Sequence, residues 1–202
     1  MGLFFLGVYF VTIVTKNREC YFGDIISGGK NATCCVSLSE IGNITNQFWL
    51  DIHGHFPFVS LDEFVIMPNH VHRILIIDHS DDSVVETLHA TSLQHATSLR
   101  RRQPSSPGKN RTMSYISPKY GSLSTIIRSF KSAVTKSSRL INPEFAWQTR
   151  FHDHIIRNEK SLNSIRQYIR QNRFNWQNDT NNPDWKENES NKTHIEKIKG
   201  AD

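Results

Sequence analysis

Two apolar runs laid almost end to end constrain this chain more than any other feature. Residues 59–67 and 71–78 are both of strand length, rich in Val, Ile, Leu and Phe, and separated by little more than Pro68-Asn69. Proline cannot donate to a strand ladder and favours turns, so the pattern predicts two neighbouring sheet strands with a tight joint. The joint is followed at once by His70-Val71-His72. Side chains alternate across a strand, so the two imidazoles project from one face and Val71 from the other. Held by rigid backbone, such a pair can grip one divalent cation, although it supplies only part of the four to six ligands a metal takes.

A second segment offers what the pair lacks. Residues 158–172 read as an amphipathic helix with Leu162, Ile165 and Ile169 on one side and Asn158 as its cap. Tyr168 and Asn172 are four apart, so they stack on a face that flanks the apolar stripe and borders a cleft. Asn172 offers an amide oxygen as a third, hard ligand, and Tyr168 holds a phenol near the metal.

These residues carry a family resemblance. Met67-Pro68-Asn69-His70-Val71-His72 resembles the His-hydrophobe-His motif of single-tyrosine transposases, most closely the REP-associated tyrosine transposases of the insertion-sequence-200-like family. Tyr168-Ile169-Arg170-Gln171-Asn172 keeps five places of that family's Tyr-Ile-x-x-Asn-Pro run, and residues 147–157 are similar to the segment that precedes it. Arg173 stands where the family usually has proline, which would have stopped the helix, so the helix is expected to fray or continue past Asn172. The resemblance runs from about residue 9 to residue 176. It implies Tyr168 as the nucleophile, a site of His70, His72 and Asn172, and Mg²⁺ or Mn²⁺ as the cation; by ligand preference alone, two imidazoles suit Mn²⁺ better.

The charge is segregated along the chain. Of 202 residues, 1–99 carry 4 Lys/Arg against 10 Asp/Glu, 100–173 carry 16 against 3, and 174–202 carry 4 against 6. Such a local excess is the footprint of a phosphate-backbone binder. Arg128, Lys131, Arg150 and Arg157 are the candidates for phosphate contact, with single-stranded or hairpin DNA as the partner because a tyrosine must reach an unstacked backbone. Trp147 and Phe151 suit either the core or base stacking. The three cysteines form no Cys-x-x-Cys pair, and the apolar start of the chain is far shorter than the ~20 residues of a membrane span, so a cytoplasmic protein with reduced thiols and no membrane contact is expected.

The remaining elements fall into place around these. Residues 9–16 form a first strand, 39–53 a helix capped by Ser39, 121–139 a helix with Leu123, Ile126, Ile127, Phe130 and Val134 inward, and 145–156 a fourth strand. His89-Ala90-Thr91-Ser92-Leu93 recurs at 95–99 within a polar, basic stretch, which marks 79–118 as a disordered insertion. Residues 1–176 then make one domain, followed by a polar, frayed tail at 177–202. The order is that of an α+β, ferredoxin-like split β-α-β antiparallel sheet with helices on one face and an extra C-terminal catalytic helix.

The function expected is a metal-dependent single-stranded DNA endonuclease and strand transferase, a tyrosine transposase working through a 5′-phosphotyrosine. A monomer is expected in preference to a helix-swapped dimer. A phenol with a pKa of about 10 is a poor nucleophile at neutral pH, so attack on a phosphodiester needs a cation. His152-Asp153-His154 is a second His-x-His, but it lies outside the metal motif, and His154 is assigned a supporting role. The alternative is a catalytically inactive, domesticated protein that binds single-stranded or hairpin DNA.

Overall fold

The structure, a computed structural model, describes residues 6–26, 35–78 and 121–185; the insertion expected at 79–118 and the tail beyond 185 lie outside the described residues. Among the described residues, six strands and four α-helical segments alternate: β1 (Leu6–Val14), β2 (Gly23–Ile26), β3 (Cys35–Leu38), α1 (Glu40–Leu50), the short α2 (Ile52–His55), β4 (Val59–Ile66), β5 (His70–Asp78), α3 (Leu123–Ser138), β6 (His152–Ile155) and α4 (Glu159–Gln171). A 3-10 stretch, Asn172–Asn178, continues from α4. The main sheet has the order β4-β5-β1-β6 with every neighbour antiparallel, while β2 and β3 form a separate hairpin. Leaving that hairpin aside, the chain runs strand-helix-strand, strand-helix-strand with interleaved halves, which is the ferredoxin-like α+β arrangement.

Local chemistry places the helices. Ser39 caps α1 by accepting from the Gly42 N–H, Ser122 caps α3 by accepting from Thr125, and Asn158 caps α4 by accepting from Ser161. Alternation along β1 and β5 then sorts the sheet into two faces. Val11, Ile13, Val71, Leu75 and Ile77 bury against α1 and α3, with Trp49, Ile126, Ile127, Phe130 and Val134 opposite them. Val8 and Ile74 face the other way and meet Ile169 of α4 in a smaller apolar cluster. Among the described residues, no helix is long and apolar enough to cross a membrane.

The fourth strand is much shorter than the 145–156 expected from sequence. Phe145 and Trp147 turn their rings into the α1/α3 core, where Trp147 packs at 5.3 Å from Phe22 and 5.4 Å from Phe145. Lys131 donates to the carbonyls of Gln148 and Arg150, and Arg150 has φ +70°. An isolated antiparallel bridge joins Thr15 to Trp147, with the Gln148 N–H donating to the Val14 carbonyl at 2.9 Å, and pairing with β1 then breaks off until His152. Residues 177–185, expected to belong to a frayed tail, are described, and Asp179 and Asn182 among them are buried.

Arg73 departs from the apolar pattern of its face. Its side chain is fully buried, and none of its three guanidinium nitrogens has a hydrogen-bond partner among the described residues. It lies over Trp49 at 4.0 Å, Phe130 at 4.8 Å and Phe64 at 5.7 Å, and burial holds its pKa well below the usual arginine value. Aromatic stacking offsets about 2 kcal/mol, whereas desolvating an ion costs several. Arg73→Met, which keeps the volume and removes the charge, is therefore expected to raise stability by about 1–3 kcal/mol in urea unfolding. A loss of stability in that variant would show that the guanidinium has found a compensating partner.

Candidate metal and tyrosine site

The β4–β5 turn is fastened on every side. The Met67 N–H donates to the His70 carbonyl at 2.8 Å, Phe22 N–H to the Pro68 carbonyl at 2.9 Å, and both the N–H and hydroxyl of Thr15 to the Asn69 carbonyl. The Asn69 amide nitrogen donates to the carbonyls of Arg18 (2.9 Å) and Asn181 (2.7 Å), which fixes which end of the amide is oxygen. That oxygen lies 2.9 Å from His70 Nδ1, so Nδ1 carries the proton and Nε2 keeps a free lone pair.

His72 is held in parallel. Its Nδ1 is 2.9 Å from the hydroxyl of Thr12, its register partner on β1, and Phe10 stacks on its ring at 5.4 Å. The two Nε2 atoms come to 3.0 Å from each other. Adjacent ligands at right angles on one cation, with bonds of about 2.1 Å, stand about 3.0 Å apart. The imidazoles are 0% and 3% exposed. Burial pushes His70 down to about 3 and holds His72 well below its ordinary value, with the neighbouring His70 adding to the effect.

The α4 helix brings the tyrosine to this pair. Tyr168 places its hydroxyl 3.2 Å from His72 Nε2, with its ring edge-on to Phe10. Burial raises its pKa above the ordinary value, the Asp179 charge adds to this, and a hydrogen bond with Asn172 opposes it. Asn172 itself is buried; its amide donates to Asp179 Oδ2 at 3.2 Å, and its Oδ1 has no hydrogen-bond partner among the described residues. Asp179 Oδ2 is 3.6 Å from His70 Nε2. His70, His72 and Asp179 offer ligand atoms that all lie within 4.8 Å of one another. Two imidazoles and a carboxylate meeting in a buried place, with an amide oxygen on the neighbouring Asn172 that has no hydrogen-bond partner among the described residues, fit a divalent cation.

Asp179 is the member that sequence reasoning misses. It follows seven residues after Asn172 in a polar stretch without periodicity, and it arrives because the helix continues as 3-10 turns through Arg173 instead of ending there. Trp176, packed 5.9 Å from the His70 ring, is the apolar signal that this stretch folds back.

The basic candidates gather elsewhere. Arg128, Lys131 and Arg150 line an open groove of about 820 Å³ between α3 and residues 146–151, together with Lys136, Arg139 and Phe151. Because α3 covers the opposite face of the sheet from α4, the groove and the imidazoles are on different sides. Lys131 is partly a brace, through its two carbonyl bonds. Arg157 is exposed between β6 and α4. His154 is exposed on the edge strand β6, and neither it nor His152 joins the ligand cluster.

Buried neutral histidines make stability pH-dependent. Between about 3 and about 6.5 the unfolded chain binds more protons at His70 than the folded one, so stability rises with pH across that window and is lost on acidification. Each such group contributes a slope of up to about 1.4 kcal/mol per pH unit. Chelator-treated protein is expected to lose urea resistance from pH 7 to pH 4.5 more steeply than His70→Gln. Parallel curves for the two proteins would contradict the burial of a neutral imidazole.

No family model matches the chain. A Haemophilus influenzae protein described only as uncharacterized is 36% identical over 174 residues, covering 86% of this chain and 83% of its own length. Among solved structures, the chain is similar to a REP-associated tyrosine transposase bound to a REP hairpin, with TM-score 0.49 and 19% identity over 82% of this chain; it spans 66% of that chain. It is also similar to a putative transposase from Deinococcus radiodurans, with TM-score 0.42 and 13% identity, covering 85% of this chain and 94% of the other. The extent and level of identity with the first of these show that the chain belongs to one family with the Haemophilus influenzae protein.

Proposed function

We propose that the protein is a tyrosine transposase: a metal-dependent endonuclease and strand transferase on single-stranded or hairpin DNA. The observation that carries the reading is the Tyr168 hydroxyl 3.2 Å from His72 Nε2, at the edge of a buried His70/His72/Asp179 cluster. The family resemblance of the His-Val-His and Tyr-Ile-x-x-Asn runs supports it. His70, His72 and Asp179 would hold the cation, and Asn172, whose Oδ1 has no hydrogen-bond partner among the described residues, would add an amide oxygen.

The chemistry follows from what these groups do. Tyr168 rests as a neutral phenol, because burial and the Asp179 charge both oppose its ionisation. A bound Mg²⁺ or Mn²⁺ supplies positive charge that offsets Asp179 and draws charge from the phosphoryl oxygens. The Tyr168 oxygen loses its proton to solvent and bonds to phosphorus, while the bond from phosphorus to the 3′-oxygen breaks and that oxygen takes up a proton. The products are a 5′-phosphotyrosine and a 3′-hydroxyl. Because the phosphodiester is kept as an ester, a strand's hydroxyl can later displace Tyr168 and rejoin the DNA without ATP. Thr12 and Asn69 hold the imidazoles in orientation throughout.

The basic groove suits the phosphate backbone of the same DNA, with Arg128, Arg150 and Lys136 among its cations, Lys131 as a partial one and Arg157 beyond it. We place the enzyme in the cytoplasm, acting as a monomer. Since groove and cluster lie on different faces, a chain without chemistry would still bind DNA, and this is the second reading.

Two measurements test the proposal. Labelled single-stranded hairpin DNA with Mn²⁺ is expected to give a covalent protein–DNA band that chelator and Tyr168→Phe abolish. DNA binding without any band across varied hairpins would leave the inert binder. Arg128→Gln with Arg150→Gln is expected to weaken binding and to reduce the slope of log affinity against log salt by about 0.7–0.9 for each phosphate no longer neutralised. An unchanged slope would remove the groove from the DNA path.

A further inference from the structure

The helix that carries Tyr168 has a thin apolar footing. Within α4 only Ile169 is buried, and the cluster beneath it holds Val8, Ile74 and Ile156, with Phe10, Val65 and Ile76 of the sheet and Leu162, Ile165 and Tyr168 of the helix only partly covered. Something besides apolar contact must set the helix's place, and β4 provides it. Consecutive residues on a strand point to opposite faces, yet Asp62 and Glu63 both reach α4. The register explains how: Leu61 pairs with Leu75 and Phe64 with Arg73, so two residues stand opposite Ile74 alone. That is a β-bulge, a device that re-aims side chains and recurs beside active sites.

The two carboxylates meet two arginines one helical turn apart. Asp62 accepts from Arg166 Nε at 3.1 and 3.2 Å and from its Nη2, in the paired geometry that makes such contacts strong. Glu63 accepts from Arg170 Nε at 2.9 Å and from its Nη2. Arg166 also donates to Asn163 Oδ1 at 3.1 Å, which keeps its guanidinium fixed to the helix. The Asp62 pair is the more sheltered, with side chains 13% and 31% exposed against 30% and 62% for the other pair. Arg166 holds the Asp62 carboxyl below its usual range. Tyr168 sits between the two arginines in the sequence.

We infer that the Asp62-Glu63 bulge is an electrostatic latch whose carboxylates are positioning residues for Tyr168. With Arg166 and Arg170 they clamp α4 so that the hydroxyl stays at His72 Nε2. With the latch released, the helix lifts on its small apolar base and the hydroxyl leaves the cluster. The positioning role rests on Tyr168 being the nucleophile; the clamping of the helix does not.

The test uses the full chain and two independent readouts. Asp62→Asn with Glu63→Gln removes both charges and keeps the Asp62 oxygen that accepts from the Glu63 N–H. Hydrogen exchange followed by mass spectrometry is expected to show α4 amides exchanging about three- to tenfold faster, with β5 unchanged. Covalent adduct formation on hairpin DNA with Mn²⁺ should slow by a similar factor while DNA affinity holds. Arg170→Gln, which breaks only the more exposed pair, should give a smaller effect of the same sign. Exchanging the charges in Asp62→Arg with Arg166→Asp should recover at least half of the exchange protection and of the adduct rate. Unchanged α4 exchange in the doubly neutralised variant, or no recovery in the exchanged one, overturns the latch. Faster α4 exchange in a protein whose wild type forms no adduct keeps the clamp and overturns the nucleophile reading instead.

Discussion

The side chain of Asn69 is the tie on which the rest of the arrangement depends. Its amide joins the end of the first strand, through Arg18, to the chain beyond α4, through Asn181, while its oxygen dictates which nitrogen of His70 is protonated. These partners are 51 and 112 residues away in sequence. A buried amide costs free energy unless all its groups are paired, and here the pairing is satisfied only when turn, first strand and C-terminal stretch are all in place. The tautomer of His70 is thus a consequence of tertiary structure. An imidazole on a strand can in general present either nitrogen; this one can present only Nε2.

Division of labour between the two sheet faces explains how a single core supports both stability and chemistry. The α1/α3 face buries Trp49, Phe130, Phe145 and the aliphatic side chains of β1 and β5 in a continuous core. The opposite face has only a small apolar cluster and spends the rest of its area on His70, His72, Thr12, Phe10 and Tyr168. Period-two alternation lets one strand serve both purposes, so that β5 contributes Val71 and Leu75 to the core while His70 and His72 remain on the other side. Arg73 is the exception that shows how strict the alternation is. Its neighbour in sequence faces the cluster, and it is consequently driven into the aromatic core with no hydrogen-bond partner among the described residues.

What was legible in the sequence was whatever depends on local periodicity. The shared face of His70 and His72 follows from strand geometry, and the shared face of Tyr168 and Asn172 from helix geometry. Ser39, Ser122 and Asn158 cap helices because short polar side chains satisfy the first N–H groups wherever a periodic run begins. Three features were beyond such reasoning because they are set by distant contacts. Asp179 arrives through a 3-10 continuation anchored by Trp176 and Asn182. The bulge at Asp62-Glu63 exists only relative to the register of β5. The shortness of β6 reflects a break after the Thr15–Trp147 bridge, where Lys131 takes the Gln148 and Arg150 carbonyls and Arg150 has φ +70°, whereas the residues themselves read as strand formers.

The inventory of protons around the cluster gives the strongest internal argument for its purpose. Three ligand atoms come within 4.8 Å of one another, on His70, His72 and Asp179, and Asn172 is bonded to Asp179 beside them. The donors at hand are the Asn172 amide, committed to Asp179, and the Tyr168 hydroxyl, within reach of His72. The two Nε2 atoms are 3.0 Å apart, so a proton on one of them would serve the other, and the Thr12 hydroxyl faces His72 Nδ1. Even so, Asn172 Oδ1 remains unpaired among the described residues, in a protein interior where such an oxygen costs about 1–3 kcal/mol. A surplus of acceptors around one point, with one imidazole presenting its Nε2 lone pair, fits a divalent cation, and it lies beside Tyr168, a phenol whose ionisation burial and the Asp179 charge oppose.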